Sequence, residues 1–246
     1  MPHGLLLITA HPDDESFFGA GTSARYAEAG VRVALVCATL GQAGKAGDPP
    51  VATPEELPRV REQELRAACD IAGIALVGVL GHHDKHLAEA PPEQIREELV
   101  RVIRAERPRI VITFDPNGLN LHPDHIAISR FASDAIAAAA DPRWLPEAGA
   151  PHRVDRLVWP SPVLPWEESH PDRLRARAGV DFLLDISRWR DRKERALRAH
   201  RSQHLSIDRL WFAPGRSPDI LSTEAFRQGF GPPLADRPAG DLFAGL

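Results

Sequence analysis

The sequence predicts an α/β fold: a Rossmann-like, open, mostly parallel sheet with helices on both faces. Three observations predict it. Short apolar runs alternate with longer amphipathic segments along most of the chain, which is the strand, crossover, strand rhythm of a covered parallel sheet. Gly and Pro stand where those segments should end. The densest polar clusters follow the first and fourth apolar runs, at the carboxyl edge where open α/β sheets place their ligands.

The elements follow in order. "GLLLITA" reads as strand one, and Phe17 to Ala29 as its crossover helix, closed by Gly30. "VRVALVCATL" is strand two, followed after a long loop by a helix from Leu57 to Ala72 that Gly73 ends. "IALVGVLG" is strand three, leading into a helix from Pro92 to Arg107 that stops at Pro108. "RIVITF" is strand four, with a helix from Ile126 to Ala140 after it. "DRLVWPS" and "VDFLLDIS" add two more strands, and a helix from Arg188 to about Gln203 follows the second. "GQAGKAGDPPVATPEELP" and "DPRWLPEAGAPH" are too rich in Gly and Pro for element interiors and read as loops of the length used for lids or binding. The residues from about 212 onward read as an irregular C-terminal segment of one domain spanning 1–246.

Composition narrows the function classes. A net charge of −4, with no run dense in Lys or Arg, argues against a nucleic-acid or anionic-membrane partner. No stretch approaches the roughly 18 apolar residues needed to span a bilayer, and no basic-then-apolar leader stands at the N-terminus, so a cytoplasmic protein is expected. Cys37 and Cys69 are isolated and flanked by apolar residues, which reads as two reduced core thiols. A homo-oligomer is compatible with the sequence.

Two clusters carry the chemistry. "AHPDDE" puts His11, Asp13, Asp14 and Glu15 at the turn after strand one, and "HPDH" puts His122, Asp124 and His125 after strand four. Ordinary helix-start chemistry is the competing explanation for either one alone, since Pro and acidic residues favour a first turn. In a sheet of order 3-2-1-4-5 the first and fourth strands are neighbours, so both turns would face one crevice. A divalent metal there could take His11, Asp14 and His125 as ligands and offset the crowded carboxylates. Two imidazoles and a carboxylate suit Zn²⁺, and the same set describes non-haem Fe²⁺ sites.

Together these motifs resemble the LmbE-like, or PIG-L, family of zinc-dependent N-acetylglucosamine de-N-acetylases. The similarity extends to "TLGQAGKAG", the "RxxEL" of Arg61 to Leu65, "TFDPNG" and "LRAHRSQ". It implies His11, Asp14 and His125 as metal ligands, Asp13 as general base, His122 as the oxyanion-stabilising group and Asp124 as the partner that orients His122. The implied partner is a small N-acetylated sugar conjugate. Amide hydrolysis fits this set, because zinc acidifies its water to a pKa of about 7 and a free neighbouring carboxylate can take the proton. A protonated His122, supported by Asp124, would then face the oxyanion. Glu15 is expected to orient a ligand from behind.

Arg61 and Asp84 match positions that line the sugar pocket in that family, where a plain surface Arg and a loop Asp are the alternatives. His82, His83 and His86 read as pocket or rim residues. Asn120 stands where some members carry a Tyr near the oxyanion. His200 and His204 are one helical turn apart, and substrate contact or packing by His200 and Gln203 is expected rather than metal binding. The competing functions are an inactive sugar-binding module on the same scaffold and an amidase of a related substrate that lacks N-acetylglucosamine. A dinucleotide oxidoreductase is disfavoured because "GAGTSA" is not G-x-G-x-x-G and falls inside the first helix. A two-metal phosphoesterase would need more carboxylates than these turns hold.

Overall fold

The structure, a computed structural model, describes residues 4–246. Strand β1 (Gly4–Thr9) leads through α1 (Asp14–Phe18) and α2 (Ala20–Glu28) to β2 (Arg32–Thr39), and α3 (Leu57–Ala72) connects to β3 (Ala75–His82). Next come α4 (Pro92–Glu106), β4 (Ile110–Ile112), the single distorted turn α5 (Gly118–Leu121) and α6 (Pro123–Ala140). The chain continues through β5 (Arg156–Pro160), α7 (Pro171–Arg175), β6 (Phe182–Asp185), α8 (Arg190–Ala199), α9 (His204–Trp211) and β7 (Thr223–Phe230). Among the described residues no helix is long and apolar enough to cross a membrane.

The seven strands form one sheet in the order β3-β2-β1-β4-β5-β7-β6. The first five are parallel, in the order expected, and β7 runs antiparallel between β5 and β6. Successive side chains of a strand point to opposite faces. Leu5 and Leu7 therefore enter a core with Leu35, Leu65 and Cys69 on one side, whereas Leu6 and Ile8 pack with Ile103, Ile128 and Ala135 on the other. Both cysteines are free and buried.

Three expectations change. The helix drawn from Phe17 to Ala29 starts at Asp14 and breaks at Gly19, where an added Cβ would sit 3.1 Å from the Leu7 side chain. The helix drawn to Gln203 ends at Ala199, because His200 turns inward to a buried carboxylate, and His204 begins a separate helix. The segment from about 212, expected to be irregular, contributes β7. Its sequence, "TEAFRQGF", has no continuous apolar run, so its strand character comes from ladders on both sides rather than from its own pattern.

Candidate functional site

The β1 and β4 registers, Leu5 against Ile110 through Leu7 against Ile112, set the two polar turns side by side at the carboxyl edge. Each imidazole between them is fixed by a hydrogen bond on its outer nitrogen. His11 Nε2 donates to Asp124 Oδ2 at 3.0 Å, and His125 Nδ1 donates to the Gly118 carbonyl at 3.2 Å. Gly118 has φ +64, and a Cβ there would lie within 2.9 Å of the His125 Cβ, so this close support requires glycine. Phe114 stacks flat on the His125 ring at 3.8 Å.

These bonds assign the tautomers and leave His11 Nδ1 and His125 Nε2 facing each other, 3.2 Å apart, each with a lone pair. Two lone pairs at that distance need a cation between them. Asp14 completes the cluster, with Oδ1 3.4 Å from His125 Nε2 and Oδ2 3.7 Å from His11 Nδ1. Without a metal the cation is a proton. Burial opposes charge on His11, but hydrogen bonds to Asp124 and Asp84 and the charge of Asp14 push its pKa up to about 10. Burial likewise opposes ionisation of Asp14, yet His125 and His11 hold its carboxyl well below the usual range.

Two other groupings share these residues. The nitrogens of His11, His122 and His125 lie within 4.8 Å of one another, as do ligand atoms of His11, Asp84 and Asp124. The second is the support layer of the first imidazole. Asp124 already accepts from the Lys85 and Leu87 amides, Asp84 accepts from the Ala43 amide, and both meet His11 through its protonated Nε2. The donor set of His11, Asp14 and His125 fits a small divalent cation better, because its lone pairs converge and its outer atoms are held.

Asp13 lies beside this cluster with φ +124, a conformation rare outside glycine. Glu15 Oε2 accepts from the Asp13 amide at 3.1 Å, and Arg61 Nη2 lies 3.4 Å from Asp13 Oδ2. Burial and the charge of Asp14 push Asp13 up to about 6, although Arg61 pulls it down. Arg61 is only 3 % exposed and donates to the Gly41 and Pro12 carbonyls, so it is a buried brace rather than a surface helix residue.

Several expected roles change. Asp124 does not orient the His122 ring; its carboxylate is turned to His11, and only its backbone amide meets His122, donating to Nδ1 at 3.2 Å. An Nδ1 that accepts carries no proton, so His122 is a neutral imidazole with its hydrogen on Nε2. Burial and the neighbouring imidazoles also push its pKa down. Glu15 supports the Asp13 backbone and pairs with His200 at 2.7 Å rather than holding a metal ligand. Of the two roles expected for His200, substrate contact or packing, it takes the second, fully buried in that pair, and its helix ends before His204.

A pocket of about 450 Å³ opens over the cluster. His11, Asp13, Asp14, His122 and His125 form its floor, and Arg61, Asp84, Asn120 and Gln203 also line it. Asn120 Oδ1 accepts from the His122 amide, and Gln203 donates to the Lys45 carbonyl. His82 pairs with Glu98, and His86 with Glu89, both away from the floor. Sequence reasoning missed Phe114, Trp166, Lys45, Lys85 and Arg209. Phe114 had a signal, its place directly after strand four; the others lie on loops and α9, whose packing no local pattern reveals.

Comparisons with known proteins bear on family and fold. The family described as PIG-L, GlcNAc-PI de-N-acetylase, matches residues 6–136. The 1D-myo-inositol 2-acetamido-2-deoxy-alpha-D-glucopyranoside deacetylase of Streptomyces avermitilis is 32 % identical over 98 % of this chain and 97 % of its own. Among solved structures, a conserved protein of Thermus thermophilus is similar with a TM-score of 0.68 and 30 % identity, over 93 % of this chain and 95 % of that one. The N,N'-diacetylchitobiose deacetylase of Pyrococcus horikoshii has the same fold, with a TM-score of 0.70 at 24 % identity over 92 % of this chain and 83 % of that one.

Proposed function

We propose that this chain, which belongs to the PIG-L family of GlcNAc-PI de-N-acetylases, holds a zinc ion with His11, Asp14 and His125 and hydrolyses an acetamide beside it. The chain is an amide hydrolase, and its reaction is removal of the N-acetyl group from an N-acetylglucosamine conjugate. The observation that carries the metal assignment is the pair of lone pairs facing each other across 3.2 Å.

Zinc, when bound, supplies a Lewis acid for the acetyl carbonyl and acidifies a neighbouring water. Asp13, left out of the ligand set and raised toward neutral pH, takes the proton of the attacking water and returns it to the departing amine. Arg61 and the Glu15 contact to its amide hold its carboxylate beside the ligand cluster. His122 offers its Nε2 hydrogen to the carbonyl oxygen as negative charge develops, acting as a neutral donor. Asp124 serves the reaction through His11, whose tautomer it fixes. Asp84, Asn120 and Gln203 offer polar atoms to the sugar hydroxyls.

A panel of N-acetylglucosaminides, with the inositol conjugate in the relative's name among them, tests the reading. Released amine should appear with the metal-loaded protein and vanish with a chelator. Amine release that persists after full removal of metal would overturn the metal assignment.

A further inference from the structure

Asp13 keeps a backbone conformation, φ +124, that a residue other than glycine adopts only where its surroundings hold it there. Two contacts do so. Arg61 on α3 reaches Asp13 Oδ2 and the Pro12 carbonyl, and Glu15 Oε2 accepts from the Asp13 amide. The second contact depends on what fixes Glu15. Its other oxygen, Oε1, accepts from Ser16 Oγ at 2.5 Å and from His200 Nε2 at 2.7 Å. The Glu15 and His200 side chains are both inaccessible to solvent, so bulk water cannot take the place of either partner. His200 Nδ1 has no partner among the described residues, and the ring directs its hydrogen bonding to Glu15 and Ser16 alone.

His200 is anchored in its turn. Two residues on, Ser202 donates to the two oxygens of Glu64, from its amide at 2.9 Å and from its hydroxyl at 2.6 Å. Glu64 and Ser202 are buried, and Glu64 stands on α3 three residues after Arg61. The contacts therefore close a ring that runs from Asp13 to Arg61, along α3 to Glu64, across to Ser202, back along the turn to His200, and through Glu15 to the Asp13 amide. Its members come from the turn after β1, from α3 and from the turn between α8 and α9. The "RxxEL" and "LRAHRSQ" motifs, which supply no metal ligand, are the two outer sides of this ring.

We propose that His200 is a positioning residue for the hydrolysis: through Glu15 it fixes the Asp13 backbone so that the base carboxylate stays beside the ligand cluster, and the contact of Ser202 with Glu64 anchors it for that task. This rests on Asp13 being the base. A displacement of about 1 Å in an acting group costs up to about 10²-fold in rate. None of the three metal ligands proposed above bonds to His200, so its loss should fall on kcat and not on KM or metal content.

The experiment follows the zinc-loaded protein on whichever conjugate of the panel above it uses fastest. His200→Leu should lower kcat about tenfold or more while KM and zinc content stay as in wild type. His200→Gln, whose side-chain nitrogen can stand where Nε2 does and donate to Glu15, should recover most of that loss. In the Asp13→Asn protein, where the base is already gone, His200→Leu should change the residual kcat by less than about twofold, because residues that act through one group are not additive. General damage to the fold would lower both backgrounds alike. If His200→Leu does not fold, Ser202→Ala, which removes one anchoring bond and leaves the imidazole in place, takes its part with a fall of about threefold that also disappears in Asp13→Asn. Wild-type kcat in His200→Leu, loss of zinc, a rise in KM at constant kcat, or an equal loss in both backgrounds would overturn the proposal while Asp13→Asn stays slow. Wild-type turnover by Asp13→Asn itself would defeat the base reading, and this one with it.

Discussion

Asp13 and Asp14 are adjacent carboxylates pushed in opposite directions, which is what the proposed roles of base for the first and metal ligand for the second require. Asp13→Asn should keep its metal and lose about 10²-fold or more in kcat, while Asp14→Asn should lose metal on elemental analysis. Retention of zinc by the second and its loss by the first would reverse the two roles. His122→Ala should also keep metal and lose about 10²- to 10³-fold in kcat, the usual cost of one oxyanion donor. Because His122 is held neutral by the Asp124 amide, its removal should leave the shape of the pH profile unchanged. A variant that loses its alkaline limb would show instead that His122 works protonated. His11 gives the pH dependence of the metal-free protein. Its folded pKa, raised to about 10 from 6.5, means that its protonated form contributes stability fully below 6.5, and that the contribution is lost as pH rises through 10. Melting temperature of the stripped protein should therefore fall over that window. Metal uptake, which displaces the same proton, should tighten over it. A flat response in both would place the proton elsewhere.

At the scale of elements, α2, α8 and β7 meet at one buried ion pair behind the site. Lys193 Nζ is 2.5 Å from Glu224 Oε1, and Glu224 also accepts from the Gly21 and Thr22 amides at the start of α2. Both side chains are nearly inaccessible, and Lys193 also lies 4.5 Å from the Trp211 ring centroid. Lys193→Met leaves a buried carboxylate without its countercharge and should cost about 3 kcal/mol or more in denaturant unfolding. Lys193→Met combined with Glu224→Gln should recover part of that loss; if the double variant is no more stable than the single, packing rather than charge is what the pair supplies. This junction also marks where sequence reading stopped. The bounds of α3 and α4 were legible because capping residues and amphipathic spacing agreed. The break at His200 and the whole of β7 were not, because each is dictated by a distant partner, Glu15 in one case and strands β5 and β6 in the other.

In the whole molecule, the clustered residues come from turns more than a hundred positions apart in sequence, and only the pairing of β1 with β4 brings them together. That convergence was legible, since the alternating runs implied the strand order and the two motifs fell on neighbouring strand ends. What was not legible was the direction of side chains within the turns. Asp124 serves His11 instead of its neighbour His122, and Glu15 serves the Asp13 backbone, because tertiary packing chooses among contacts that the local sequence leaves equivalent. The unfolded chain cannot present His11 Nδ1 and His125 Nε2 to one ion, so metal binding should act as a global stabiliser. At free zinc about 100-fold above its dissociation constant the gain is about 2.7 kcal/mol, which for a chain of this size raises the melting temperature by about 5 to 11 °C. His11→Ala and His125→Ala should abolish the zinc-dependent shift, whereas Asp13→Asn and His122→Ala should retain it. Since the shift is read on unfolding and not on turnover, it distinguishes ligands from catalytic groups even in variants that no longer hydrolyse substrate. A full shift in His11→Ala would mean that the ion stabilises the fold from some other place than the crevice between β1 and β4.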